Sequence, residues 1–337
     1  MNKIVKKIIL ISMLFAGFSA FAAFAASKKS IVCTTFPQYD WVMNILGDSK
    51  SFEVTLLQDN GTDLHSYSPS FKDIATIAKC DLFIYTGGES DEWVEKVLKN
   101  KKNAQMMTVN MLESIGDRAK EEEIVEGMES EEEEHEHEHE HDHAEASGHH
   151  HHHDEEEEIE YDEHVWLSLR NAKIITETIS SCIQKIDSAN RELYKKNTAS
   201  YVKQLTLLDE EYKKVVSSSA KKTLLFADRF PFLYLTEDYN LKYYAAFVGC
   251  SSAVEASFDT VIFLSKKLDE LKLKYVLVID GSDKKIAKTV IANSTLKNQQ
   301  ILQMDSLQSV TRNDINKGKT YLSGMKYNLD VLRNVLK

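Results

Sequence analysis

The sequence predicts an α/β protein of two lobes, each a parallel sheet flanked by helices, joined by a long rigid helix. Three observations carry this reading. Short apolar, β-branched runs alternate with helical patterns twice along the chain, the alternation that builds parallel sheets with helices on both faces. The length of 337 residues exceeds one ordinary core and suits two domains. The chain has only 3 Pro and 12 Gly, and Asn190–Val216 contains neither, which favours a stiff connection over a flexible hinge.

In the first half the strand candidates are Ile31–Thr35, Phe52–Leu57, Leu82–Tyr85 and Met106–Val109, short β-branched or aromatic runs. Helical patterns fill the intervals at Asp40–Leu46, Phe71–Ala78 and Asp91–Leu98. Asn171–Ile186 then sets Ile174, Ile175, Thr178, Ile179, Cys182 and Ile186 on one side at helical spacing. A helix over Asn190–Val216 spans about 40 Å at 1.5 Å per residue, enough to run beside both lobes. The second half repeats the layout. Its strands are expected at Thr223–Ala227, Tyr243–Val248, Tyr275–Ile279 and Ile301–Met304, and its helices at Ser257–Leu271, Asp283–Ile291 and Tyr321–Leu336.

The expected organisation is an export signal over residues 1–25, a first α/β lobe over 26–189, a linking helix over 190–220 and a second α/β lobe over 221–337. The signal has a basic start (Lys3, Lys6, Lys7), an apolar run from Ile8 to Phe21, and small residues around Ala23 and Ala25. Cys33 follows Ser30-Ile31-Val32 and lacks the leucine expected before a lipid-bearing cysteine. The expectation is a periplasmic protein with no lipid-anchor cysteine. The four cysteines, Cys33, Cys80, Cys182 and Cys250, are scattered and form no C-x-x-C pair, so they read as small buried residues with at most one bridge.

Charge is concentrated. Residues 121–160 hold 20 Asp and Glu and no Lys or Arg, against a net charge of −12 for the chain, so the remainder is net positive. No basic cluster argues for nucleic acid. The segment 116–160, rich in His and Glu, is expected to be disordered, since it offers little to bury. It holds ten of the twelve histidines: His135, His137, His139, His141, His143, His149, His150, His151, His152 and His153. Interleaved with acids, these imidazoles form a candidate low-affinity metal loop.

His65 and His164 are the two histidines left for the folded parts. His65 lies in a loop between a strand and a helix, the position at which doubly wound sheets bind ligands. His164 lies in Tyr161-Asp162-Glu163-His164-Val165-Trp166-Leu167, where ordered sequence resumes. In the second half Asp228 and Asp280 each end a predicted strand. Asp280 either caps the next helix or ligates a metal. Two histidines from one lobe and two carboxylates from the other would clamp an ion at the lobe interface.

At these residues the chain resembles the substrate-binding proteins of zinc and manganese ABC importers. The resemblance runs through Thr34-Thr35-Phe36-Pro37-Gln38-Tyr39-Asp40, Gly61 to Tyr67, Tyr85-Thr86-Gly87-Gly88-Glu89 with Trp93, Asp162 to Leu167, and Glu255-Ala256-Ser257. The resemblance implies His65 and His164 as first-lobe ligands and Asp280 as the acidic ligand of the second lobe. The family's third ligand, His or Glu, has no direct counterpart in Phe226-Ala227-Asp228-Arg229-Phe230. Counting forward from Lys222 gives Asp228, and counting back from Tyr239 gives Arg229, which cannot ligate a cation. Asp228 is therefore the expected third ligand, with Arg229 pairing a carboxylate such as Glu255 or Asp280.

The implied cargo is Zn2+, with Mn2+ as the alternative: oxygen ligands suit manganese, while the histidine loop and the general affinity order favour zinc. The implied partner is the membrane permease of a metal ABC importer, with the protein acting as a monomer. A periplasmic zinc buffer is a second reading. A metalloenzyme is a third, but no H-E-x-x-H, G-x-S-x-G or P-loop signature supports it, and the chain is read as a non-enzyme.

Overall fold

The computed structural model describes residues 28–129, 160–251 and 255–337. The first lobe is built from β1 (Lys29–Cys33), α1 (Phe36–Leu46), β2 (Phe52–Leu56), α2 (Phe71–Ile77), β3 (Leu82–Tyr85), α3 (Trp93–Lys99), β4 (Met107–Asn110) and α4 (Met111–Ile115). Its four strands are all parallel, in the order β2-β1-β3-β4. The strand runs are buried on both faces, with Ile31, Val32 and Cys33 of β1 and Leu82, Phe83 and Ile84 of β3 fully shielded. Local chemistry starts the helices where it does. Gln38 Oε1 accepts the Thr34 and Thr35 N–H groups at 2.8 and 3.3 Å. Ser70 and Asp73 exchange side-chain-to-backbone bonds ahead of α2.

Two helices follow, α5 (Leu169–Ile186) and α6 (Arg191–Ser218). The 28 residues of α6 reach about 42 Å at 1.5 Å per residue. The second lobe contains β5 (Thr223–Phe230), α7 (Leu233–Tyr239), β6 (Lys242–Val248), α8 (Phe258–Glu270), β7 (Tyr275–Ile279), α9 (Lys285–Asn293), β8 (Gln300–Met304), α10 (Arg312–Asn316) and α11 (Tyr321–Val335). Its sheet, β6-β5-β7-β8, is parallel throughout and repeats the order of the first.

The long helix ties the lobes together through its tyrosines. Tyr201 Oη donates to Asp40 Oδ2 of α1 at 3.2 Å, and Tyr212 Oη donates to the Met325 carbonyl of α11 at 2.5 Å. Trp41 of α1 meets Tyr321 of α11 edge-on, 5.2 Å between ring centres, so one continuous core crosses from lobe to lobe.

Several details differ from the sequence reading. The first helix begins at Phe36 rather than Asp40, because Pro37 is tolerated in a first turn. The fifth strand continues to Phe230: its register against β6 shifts between Phe226 and Arg229, a bulge that absorbs an extra residue at Asp228. Helices α4, α7 and α10 are short and were not expected. Residues 116–129, expected within the disordered segment, are packed. Glu121 bridges Tyr161, Glu129 bridges Phe247, and Met128 is 5% exposed. Val125 and Met128 supply apolar anchors, and the acids beside them accept backbone N–H groups: Glu129 takes that of Ser257 at 2.7 Å. The signal residues 1–25 and all ten loop histidines lie outside the described residues. No helix among the described residues is long and apolar enough to cross a membrane.

Candidate metal centre

Both sheets open their carboxyl ends toward the interface, and the strand-end loops there carry the site. His65 stands in a single 3-10 turn, Leu64–Ser66, on the connection leaving β2. Asp63 Oδ1 accepts the His65 N–H at 3.1 Å, and buried Leu64 anchors the turn in the core. The imidazole Nδ1 lies 2.9 Å from Ser90 Oγ and 3.5 Å from Glu163 Oε2.

His164 is fully buried and precedes a second 3-10 turn, Val165–Leu167. Asp162 Oδ1 accepts from both its backbone N–H, at 2.7 Å, and its ring Nδ1, at 3.0 Å. Trp166 packs on the ring edge-on, 5.3 Å between centres. A carboxylate beside each Nδ1 favours the proton there and leaves each Nε2 lone pair for the site. The two Nε2 atoms face each other at 3.2 Å.

The surroundings split the pair electrostatically. Burial first, then the neighbouring His164, pushes the His65 pKa down to about 3. Burial also opposes charge on His164, but the carboxylate of Asp162, its hydrogen bond and Glu163 together raise the pKa above the usual histidine value. One proton between the Nε2 atoms satisfies the pair. Burial raises Glu163 to about 7 despite the Ser90 N–H that its Oε1 accepts at 2.7 Å. That approach needs glycine at position 88, where φ is +82° and a Cβ would stand 2.4 Å from Glu163 Oε1.

A cysteine thiol lies beside them. Ligand atoms of His65, His164 and Cys250 lie within 4.8 Å of one another, the one such grouping of His, Cys, Asp or Glu among the described residues. Cys250 was not among the expected ligands: scattered cysteines gave no spacing signal. A signal was there in its position, since it follows β6 as Asp280 follows β7. All four cysteines are free thiols.

The two expected carboxylates are placed differently. Asp228 accepts the Arg229 N–H at 2.9 Å and the Ile279 N–H at 3.3 Å. Asp280 accepts the Ser306 N–H at 2.5 Å, and burial followed by the nearby Asp305 raises its pKa. Neither falls within the His65–His164–Cys250 grouping. Arg229 was expected to pair with Glu255 or Asp280. It pairs instead with Asp63 of the first lobe, Nη2 to Oδ2 at 2.8 Å. The bulge in β5 turns this residue toward the facing lobe.

Residues 31–335 match the zinc-uptake complex component A, periplasmic, family (ZnuA). The chain is 30% identical over 334 residues to the zinc-binding lipoprotein AdcA of Streptococcus pneumoniae, covering 96% of this chain and 60% of that protein. It therefore spans about three fifths of the length of the streptococcal relatives it matches. It is 30% identical over 309 residues to the high-affinity zinc uptake system protein ZnuA of Bacillus subtilis, covering 92% of this chain and 88% of that protein. Among solved structures, the Zn(II)-bound ZnuA-like domain of S. pneumoniae AdcA superposes with a TM-score of 0.68 at 26% identity, covering 92% of this chain and 99% of that one. The lipoprotein name of the pneumococcal relative overturns the expectation of a periplasmic protein without a lipid anchor. That expectation rested on the N-terminal sequence through Cys33, of which residues 1–27 lie outside the described ones. A position outside the cytoplasm fits the family's description.

Proposed function

The chain belongs to the zinc-uptake complex component A family, and on that premise we propose that it is an extracytoplasmic zinc-binding protein. It delivers Zn2+ to the permease of an ABC importer, acting as a monomer and as a carrier rather than an enzyme. The observation that carries this reading is the pair of imidazoles, His164 fully buried and His65 partly so, aimed at one point, 3.2 Å apart, each backed by a carboxylate. In a tetrahedral zinc site with Zn–N distances of about 2.0–2.1 Å, two nitrogen ligands stand about 3.3 Å apart. The pair is thus spaced for one ion.

His65 and His164 are the proposed first-lobe ligands. Asp228 and Asp280 are the proposed oxygen donors of the second lobe. To ligate, they exchange the N–H groups they now accept for the ion. The ten histidines between His135 and His153 are proposed to collect zinc loosely. Interleaved carboxylates raise the local cation concentration, and a chain that must order on binding gives modest affinity.

The test is calorimetric titration of zinc into the full chain and into a variant lacking residues 130–158. The expected outcome is one tight site in both proteins and several additional weak sites in the full chain alone. Absence of a tight site in both would overturn the carrier reading, and equal zinc capacity would overturn the collecting role.

A further inference from the structure

We infer that the Cys250 thiolate is a third ligand of the ion held by His65 and His164, giving a nitrogen, nitrogen and sulfur set that leaves a tetrahedral ion one position for a single second-lobe carboxylate, Asp228 or Asp280, and that selects zinc-like cations over manganese. The inference rests on the zinc-binding reading above and goes beyond it by naming a residue and the chemistry of selection.

Three features place Cys250 for this role. The turn after β6 reaches the buried imidazole because residue 249 is glycine. A Cβ there would lie 3.1 Å from His164 Nδ1 and 3.0 Å from the Phe230 carbonyl oxygen. From the other side, Glu122 Oε1 accepts the Cys250 N–H at 3.0 Å and pins the turn. The thiol then stands within 4.8 Å of the histidine ligand atoms. In a tetrahedral site with Zn–S of about 2.3 Å and Zn–N of about 2.05 Å, sulfur and nitrogen stand roughly 3.5 Å apart. A shift of about an ångström on binding closes that geometry.

The charge around the site points independently to a cation. Asp162 and Glu163 are 1% and 2% exposed. Glu163 Oε2 is buried without a hydrogen bond, 3.5 Å from His65 Nδ1. A dication held by the two imidazoles displaces the thiol proton. The S–H bond breaks, an S–Zn bond forms with the sulfur pair, and the proton leaves to solvent with no electron transferred. The negative surroundings that hold the proton equally hold the metal that replaces it.

Sulfur also sets selectivity. Thiolate favours zinc and other soft or borderline ions, whereas manganese prefers oxygen. No other cysteine joins the grouping among the described residues: Cys33 and Cys80 are buried in the first lobe and Cys182 lies on α5. The histidine-rich segment contains no cysteine. A thiolate signal therefore reports the core site even in the full chain.

Cobalt(II) titrated into the reduced full chain is the direct test. The expected result is a near-ultraviolet thiolate-to-cobalt charge-transfer band that saturates at one equivalent, is displaced by zinc, and is missing in Cys250→Ser. In competition with a chelator, Cys250→Ser and Cys250→Ala should lose about tenfold or more in the ratio of zinc to manganese affinity. One-to-one cobalt binding by the unaltered protein without the band overturns thiolate ligation and leaves the carrier reading standing. So does a band that persists in Cys250→Ser. Failure of the unaltered protein to bind any zinc tightly overturns the carrier reading itself. The spectrum of the unaltered protein decides the point even where a variant fails to fold.

Discussion

Arg229 of the second lobe donates Nη2 to Asp63 Oδ2 at 2.8 Å, while the other oxygen of Asp63 holds the N–H of His65 at 3.1 Å. One carboxylate thus links the lobes and fixes the turn that presents a site imidazole. Burial works against charge on Asp63, but the guanidinium and His65 hold its carboxyl below the usual range. The segment expected to supply a third ligand thus also supplies a cross-lobe tether.

That tether yields the first prediction. Arg229→Ala leaves Asp63 without its partner at a site about one-fifth exposed. Urea unfolding should show a loss of about 1–2 kcal/mol, discounted from a fully buried pair for partial solvation. Arg229→Lys should recover only part, because an ammonium cannot also reach the Ser251 carbonyl as Nη1 does at 3.3 Å. Equal stability of all three proteins would remove the tether from the account.

The carboxylates behind the imidazoles should matter without touching the ion. Asp162 takes both the backbone and the ring N–H of His164. Asp162→Asn offers its amide oxygen to only one orientation and frees the ring to change tautomer. Zinc affinity should fall about 10–100-fold in chelator competition, while His65→Ala or His164→Ala should cost at least as much. An Asp162→Asn protein with unchanged affinity would show that the ring needs no such support.

The fold was legible because strand and helix runs alternate, and periodicity survives ignorance of tertiary contacts. Helix α7 was not: Phe230-Pro231-Phe232 reads as a break, yet Pro231 only ends β5 before Leu233 starts the helix. The two histidines that the structure brings together stood out through scarcity, since histidine is otherwise confined to one segment. Cys250 was not, because what marks it is its distance from two imidazoles contributed by loops far away in sequence. The same holds for Arg229, whose partner lies 166 positions away. Residues 116–129 read as part of an acidic tract, and only the Cys250 and Ser257 N–H groups of the other lobe give Glu122 and Glu129 something to bind.

A third prediction concerns the contact beneath the site. Trp166 Nε1 donates to the Ser306 carbonyl at 2.9 Å, and Tyr321 Oη donates to the Trp166 carbonyl at 2.6 Å. Trp166 is fully buried and packs on His164. Trp166→Phe leaves a buried carbonyl unpaired and some volume unfilled, so unfolding should show a loss of about 2–4 kcal/mol. A loss under about 0.5 kcal/mol would mean that the lobes do not depend on this contact.

The last prediction turns on Asp91, beside the turn that steadies His65. Its Oδ2 accepts the Thr86 and Gly87 N–H groups at 2.8 and 3.1 Å, but its Oδ1 is buried with no partner. Burial therefore raises the pKa from 3.8 to about 6, against the pull of those two N–H groups. The native protein then binds more protons than the unfolded chain between about pH 4 and pH 6. The stabilising contribution of this group is full below about pH 4 and is lost as the pH rises through 6. Asp91→Asn keeps an oxygen for the two N–H groups and removes the charge. Other titrating groups cancel when the two proteins are compared, so the difference in unfolding free energy isolates this one. It should move in favour of Asp91→Asn by an amount on the order of 1–3 kcal/mol between pH 4 and pH 7, then stay level. Urea unfolding at a series of pH values measures it. A difference independent of pH would mean that the carboxyl ionises at its ordinary pH in the folded protein.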